Sequence, residues 1–297
     1  MRKSLGVSLE SKRLVPVLAL GLSISWLTPI HQIPWMSFHS DAVTAFVLLL
    51  AAWWFLLKKE VSFKLDAIGL AVVLCFISVC SQYAFGKIAS FGIAWIYALY
   101  LLGFFLAILA GSAWQQKDTS QCVDFIFLSV LFAGLLSVVV QLFQLFELGL
   151  CSGLVRSLDS SRYSANLGQP NQLGSLLVLG ILACAWFHIR NSLNGMIWTF
   201  LAIVLAFGLA MTGSRAGLLN MAFLSAGLLF FRGEIKAAKL FAGSITLLGS
   251  YFCFVFFQPW VLLKNYFGYV SVEVVVRTFV DQARIQIWEG LIASRDD

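Results

Sequence analysis

The sequence predicts an all-α, polytopic membrane protein with about nine transmembrane helices and a cytoplasmic N-terminus. Three observations carry that expectation. Of 297 residues, 60% are hydrophobic and 11% charged, with a mean hydropathy of +0.90, which soluble domains of this length do not reach. The apolar residues fall in runs near the ~20 residues that a helix needs to cross a bilayer. Lys and Arg lie in short stretches between those runs and are unequally shared between alternate sides.

The first run, 14–30, follows Arg2, Lys3, Lys12 and Arg13 and has no small-x-small cleavage site, so it reads as an uncleaved first span. Further runs occupy 42–57, 67–85, 88–114, 125–146, 173–188, 196–211, 216–231 and 240–263. With these spans, one side holds the four N-terminal basic residues, then Lys58, Lys59, Lys64, Lys117, Arg190, Arg232, Lys236 and Lys239. The other side, leaving aside the tail after 263, holds only Lys87, Arg156, Arg162 and Arg215. The positive-inside rule therefore puts the N-terminus in the cytoplasm and the residues after the ninth run outside. Residues 1–264 are expected to form the transmembrane domain. Residues 265–297 are expected to begin an amphipathic segment outside the membrane, cut short at Asp297: Glu273, Arg277, Asp281, Arg284 and Glu289 alternate there with Val, Phe, Ile and Trp288 at roughly helical spacing.

Several function classes fall away at once. The formal charge of +6 is dispersed over loops, where it sets topology, and forms no patch for nucleic acid. The six cysteines, Cys75, Cys80, Cys122, Cys151, Cys184 and Cys253, show neither CxxC nor zinc-ligand spacing. His31, His39 and His188 are far apart and lack an HExxH context. No metal and no cofactor is expected. His31 and His39 fall in the outside loop after the first run, where either is in principle a general base or simply an interfacial histidine; no catalytic residue is assigned.

Two polar stretches stand out, and both are expected outside. The loop 147–172 carries Arg156, Asp159, Arg162 and Tyr163, then Asn166-Leu167-Gly168-Gln169-Pro170-Asn171-Gln172. Pro170 suits the first turn of a helix, where its missing N–H costs nothing, so a span starts here with its N-terminus outward. The second stretch is Thr212-Gly213-Ser214-Arg215-Ala216-Gly217, a tight turn in which Ser214 can cap the next helix and Arg215 opens it. Each has a plain reading, helix capping for the first and snorkelling of Arg215 to headgroups for the second. Together they offer two outward helix N-termini with arginines beside them, and guanidinium groups bind phosphate bidentately at any relevant pH. An outward site for a pyrophosphate follows from that charge argument; an anion transporter would want similar residues.

These residues resemble a known family. Residues 166–172 are similar to the NLGQPNH motif of the bacterial protein O-oligosaccharyltransferases that glycosylate pilins, within the O-antigen ligase and polymerase superfamily. Residues 212–217 resemble that family's TGSR[AT]G turn, and Arg284-Ile285-Gln286-Ile287-Trp288-Glu289-Gly290 resembles its R-x-x-x-W segment, in the same order. The likeness covers roughly 14–291, the N-terminal half of such a protein. It implies transfer of an oligosaccharide from undecaprenyl pyrophosphate to a Ser or Thr hydroxyl of a pilin or other periplasmic protein, at the periplasmic face of the inner membrane, without metal or nucleotide. The partners implied are the lipid-linked oligosaccharide donor, the acceptor protein and the bilayer. On the donor side it implies pyrophosphate contact by Arg215 with Ser214 beside it, and a donor site shaped by Asn166, Gln169 and Asn171; Arg156, Arg162 and Arg284 join them on the charge argument.

Two departures matter. The motif's final His is Gln172 here, which cannot take up a proton. Relatives of this type continue after R-x-x-x-W into a large outside loop with an essential His, whereas the sequence stops nine residues after Trp288. If the 297 residues are the whole product, the expectation is a chain without activity. The alternatives are an O-antigen ligase or polymerase acting on lipopolysaccharide, against which the NLGQPN run speaks, and an anion transporter, which would place polar residues at the midplane in place of span ends.

Overall fold

In hydrocarbon every backbone N–H and C=O must be satisfied within the protein, which leaves helices as the natural form for long apolar runs. A computed structural model describes residues 9–30, 37–56, 66–146, 153–156, 162–190, 194–230, 248–252 and 254. Among them the chain forms α1 (Leu9–Leu27), α2 (Phe38–Leu56), α3 (Ala67–Ala84), α4 (Phe91–Leu145), α5 (Pro170–Ile189), α6 (Gly195–Met211) and α7 (Arg215–Phe230), with a 3-10 turn at Ala165–Leu167 and no strand. Among the described residues, four stretches are long and apolar enough to cross a membrane: Ala67–Ala84, Phe91–Gln116, Asp118–Leu145 and Pro170–Ile189. Val15–Leu27, Phe38–Trp53 and Gly195–Met211 are apolar but shorter. The chain is thus an all-helical, multi-pass membrane protein. Most of the run at 240–263, and all of 265–297, lie outside the described residues.

Three local differences from the sequence expectation have physical reasons. The loop expected around Lys117 is a break within α4, where Asp118 adopts an extended backbone (φ −158°, ψ 94°). Its Oδ1 accepts from the amides of Ser120 and Gln121 at 3.0 and 3.1 Å, and from Ser120 Oγ at 2.8 Å. Asp118 is therefore the N-cap of the second half, so one helix stops and another starts without a connecting loop. His39 lies in the first turn of α2 and not in a loop, because that helix begins at Phe38. At the N-terminus α1 begins at Leu9, so the backbone at Lys12 and Arg13 is already helical, ahead of the apolar run.

The chain divides into two compact units, Met1–Phe132 and Ala133–Asp297. In the first, α1 packs on α2 so closely that a Cβ at Gly21 would stand 3.1 Å from Val47 Cγ2. Val15, Leu18 and Ala19 of α1, Val47 and Ala51 of α2, and Ala113, Trp114 and Phe125 of α4 form its core. Trp114 and Phe125 stack across the Asp118 break with ring centroids 5.0 Å apart. Ser23 Oγ lies 2.7 Å from the carbonyl of Ala19 and 2.9 Å from that of Ser129, so its polarity is absorbed by backbone. By contrast α3 and Phe91–Gln116 present Ile68, Leu74, Ile77, Phe91, Trp95 and Phe104 outward, a surface suited to lipid and not to water.

In the second unit α5 is central, with 61% of its apolar window buried against 11% for α3. It packs on both α6 and α7. Leu173, Leu177 and Ile181 recur every fourth residue along its buried stripe, and Leu205 and Leu209 of α6 and Met221 of α7 are likewise fully buried. Glycines let the helices approach: a Cβ at Gly208 would lie 2.5 Å from Val138 Cγ2 and 2.8 Å from Gln141 Oε1. Gly208→Ala is therefore expected to destabilise the protein by about 1–3 kcal/mol through overpacking. Gly111→Ala, whose Cβ meets nothing within 4 Å, should leave the thermal midpoint in detergent unchanged or raise it. Equal midpoints for the two variants would contradict this packing.

Candidate functional site

The site is built where α6 ends and α5 and α7 begin. When α6 stops at Met211, its last carbonyls need donors. Some come from the turn itself: Thr212 Oγ1 donates to Leu209 O at 2.7 Å, and Gly213 N to Ala210 O at 3.0 Å. Gly213 takes φ +55°, the left-handed conformation that reverses the chain. The carbonyls of Thr212 and Gly213 are met by Arg162, through Nε at 3.0 Å and NH2 at 3.0 Å respectively. A guanidinium is suited to this task, since it is cationic at a helix C-terminus and carries several donors in a fixed fork.

Ser214 begins α7 as expected. Its Oγ accepts from Gly217 N at 3.1 Å, the N-cap geometry, and its own amide donates to Thr212 Oγ1 at 3.1 Å. The same hydroxyl donates to Asn171 Oδ1 at 2.9 Å, and Arg162 NH2 reaches that oxygen at 3.4 Å. Asn171 is the second residue of α5, so one amide oxygen fastens the start of α5 to the start of α7. The close fit depends on Gly174, where a Cβ would sit 3.3 Å from Ser214 Oγ. Arg215 is the first residue of α7. The two sequence motifs, more than forty residues apart, are thus one structure.

The approach to α5 is equally determined. Asn166, 2% exposed, accepts from Arg156 N through Oδ1 at 3.0 Å and donates from Nδ2 to Leu154 O at 2.7 Å. Gln144 of α4 clasps Ala165 on both sides, accepting from its N–H at 3.1 Å and donating to its C=O at 3.2 Å, and also donates to Arg156 O at 3.0 Å. Ala165 has φ +47°, an unfavourable conformation for a residue with a Cβ, so the clasp holds a strained position in place. Gln141, one turn earlier, donates to Gly208 O at 3.1 Å and towards Tyr163 O at 3.4 Å. Gly168 turns the chain into α5 with φ +73°, and the Arg156 guanidinium lies across it where a side chain would stand. Gln169 occupies the N-cap position of α5 but makes no side-chain capping bond, and Pro170 follows at N1.

Of the residues singled out from sequence, Ser214, Arg162 and Asn171 meet in one network, Asn166 binds the backbone of Arg156 and Leu154, Arg156 lies over the turn into α5, Gln169 stands at its N-cap and Arg215 opens α7. Arg284 and His31 lie outside the described residues. Gln141 and Gln144 escaped sequence reasoning. Their signal is two carboxamides three residues apart in an otherwise apolar helix, a spacing that puts both on one face and asks for partners.

Fold and site together define a multi-pass helical membrane protein in which one polar cluster joins the starts of two helices. Comparison with known proteins narrows the class. The chain is 32% identical over 202 residues to a general O-oligosaccharyltransferase of Acinetobacter baylyi, a match covering 66% of this chain and 34% of that protein. It is 28% identical over 140 residues to the ComP-specific O-oligosaccharyltransferase of the same organism, covering 47% of this chain and 25% of the relative. The matches thus span about a third and a quarter of these relatives' lengths. No protein-family model and no solved structure matches. The chain is related to the O-oligosaccharyltransferases.

The Asn171–Ser214 bond is expected to couple the two motifs. Ser214→Ala should cost about 1–2 kcal/mol by removing a cap and an interhelical bond. In the double-mutant cycle with Asn171→Ala, the two losses should fall short of additivity by about 1 kcal/mol, read from unfolding in detergent. Strict additivity would show that the two helix starts are held independently.

Proposed function

We propose that this chain carries the donor side of an O-linked protein glycosylation reaction: transfer of an oligosaccharide from undecaprenyl pyrophosphate to a Ser or Thr of a pilin or other periplasmic protein. The observation that carries the reading is the joining of two helix starts through Asn171 and Ser214, with Arg156 across the turn into one and Arg215 at the first position of the other. Uncapped amides of a first helical turn and guanidinium groups favour the same ligand, a phosphate ester. The relatives' names point to oligosaccharide transfer.

In this reading the chain has about nine spans in the bacterial inner membrane with its N-terminus in the cytoplasm, which faces the cluster towards the periplasm. The acceptor hydroxyl oxygen attacks the anomeric carbon of the lipid-linked sugar and releases its proton to solvent, the sugar–phosphate C–O bond breaks, and the lipid pyrophosphate leaves with the bond's electron pair. The leaving group gains negative charge as this happens, so cations fixed beside it lower the barrier. Arg215 and Arg156 supply that charge. Arg162 acts indirectly, by closing the 212–214 turn on which Arg215 is mounted. Ser214, Asn166, Gln169 and Asn171 shape the donor site, and Arg284 joins it from the later segment.

The test is complementation in a strain that lacks its own ligase, makes lipid-linked glycan and expresses a pilin acceptor. Joined to the C-terminal remainder of the general O-oligosaccharyltransferase that it matches, the chain should add the glycan mass to the pilin. Arg215→Ala, expressed and inserted to the same level, should reduce that product by about a hundredfold, the scale for losing one group that stabilises developing charge. Glycan on lipopolysaccharide and not on pilin, or undiminished transfer by Arg215→Ala, would contradict the reading.

A further inference from the structure

Arg156 sits on a segment with little regular structure, yet three hydrogen bonds hold its backbone and its neighbour's: Asn166 accepts from its N–H and donates to Leu154 O, and Gln144 donates to its C=O. Both partners, Asn166 and Gln144, trace back to one side chain. Gln144 binds the Arg156 carbonyl directly, and it also fixes Ala165, the residue immediately before Asn166, from both backbone sides. This carboxamide is 5% exposed and projects from the last turn of α4, a rigid element. Its three bonds link the helix to the turn that leads into α5 and to the residue that lays a guanidinium over Gly168. The left-handed Ala165 shows that this path is imposed and does not relax to an ordinary conformation.

We propose that Gln144 is a positioning residue for the lipid-pyrophosphate site: by clasping Ala165 and the Arg156 carbonyl it sets the Arg156 guanidinium at the start of α5, where the pyrophosphate is taken. This rests on the donor-site reading above and adds to it a residue that touches no substrate. A flexible cation would have to be ordered on each binding event, whereas one mounted on a buried, fully hydrogen-bonded carboxamide is already in place. Gln141, whose bonds run to Tyr163 and Gly208, supports the same loop from one turn deeper but does not reach Arg156.

The experiment measures binding of geranylgeranyl pyrophosphate to the purified chain in detergent, with geranylgeraniol as the uncharged control. The variants are Gln144→Met, Arg156→Ala and the double variant, with folding checked by gel filtration and thermal unfolding. The wild type should prefer the pyrophosphate. Gln144→Met and Arg156→Ala should each weaken pyrophosphate binding about tenfold, leave binding of the alcohol unchanged, and together weaken it no further than Arg156→Ala alone. A purely structural role for Gln144 would instead weaken both ligands alike. If Gln144→Met does not fold, Gln144→Glu keeps the acceptor for Ala165 N while removing the donors to Arg156 O and Ala165 O, and the same cycle is read on it. Multiplicative losses in the double variant, or unchanged binding by the Gln144 variants, would overturn the inference while the donor site stands. Equal binding of pyrophosphate and alcohol by the wild type would overturn the donor-site reading and this inference with it.

Discussion

The carbonyls of Thr212 and Gly213 stand where α6 ends within an apolar protein, and a helix end in such surroundings needs donors from the protein itself. Arg162 provides them. Because that guanidinium comes from the segment just before α5, satisfying the end of α6 also brings the 162–171 stretch against the 212–214 turn. The turn then presents Ser214 to Asn171, and the N-termini of α5 and α7 are held side by side. One backbone requirement, met by one cation, thereby assembles the cluster.

The helices were legible because hydropathy alone specifies them: the runs beginning near residues 67, 173 and 196 match α3, α5 and α6 to within a few residues. The ends were less so. Asp118 was invisible as a helix break because its effect comes from a side-chain oxygen meeting the amides two and three residues on, within a stretch whose composition reads as a loop. His39 was assigned to a loop because polar residues begin the second run, and polar residues are also what a first helical turn contains.

Within the candidate site, the motifs at 166–172 and 212–217 announced themselves by polarity, and Pro170 and Ser214 by their helix-start chemistry. Which atoms would meet was not legible. Asn171 Oδ1 serving both Ser214 and Arg162 depends on α5 packing against α7, a tertiary fact. Gln141 and Gln144 were hidden by their setting, since an apolar run absorbs two amides without losing its character, and only the structure shows what they hold. Among the described residues, the hydrogen-bonded polar cluster of this unit lies where α6 ends and α5 and α7 begin.

The central claim is that the segments 162–171 and 212–217 form one site for a lipid pyrophosphate. The most direct measurement is photocrosslinking in membranes with a polyprenyl pyrophosphate carrying a photoreactive group next to the phosphates, followed by peptide mapping. The account predicts labelling in both segments, competed by unmodified polyprenyl pyrophosphate and not by the corresponding alcohol. Labelling confined to the first unit, or labelling that the alcohol competes equally well, would contradict it.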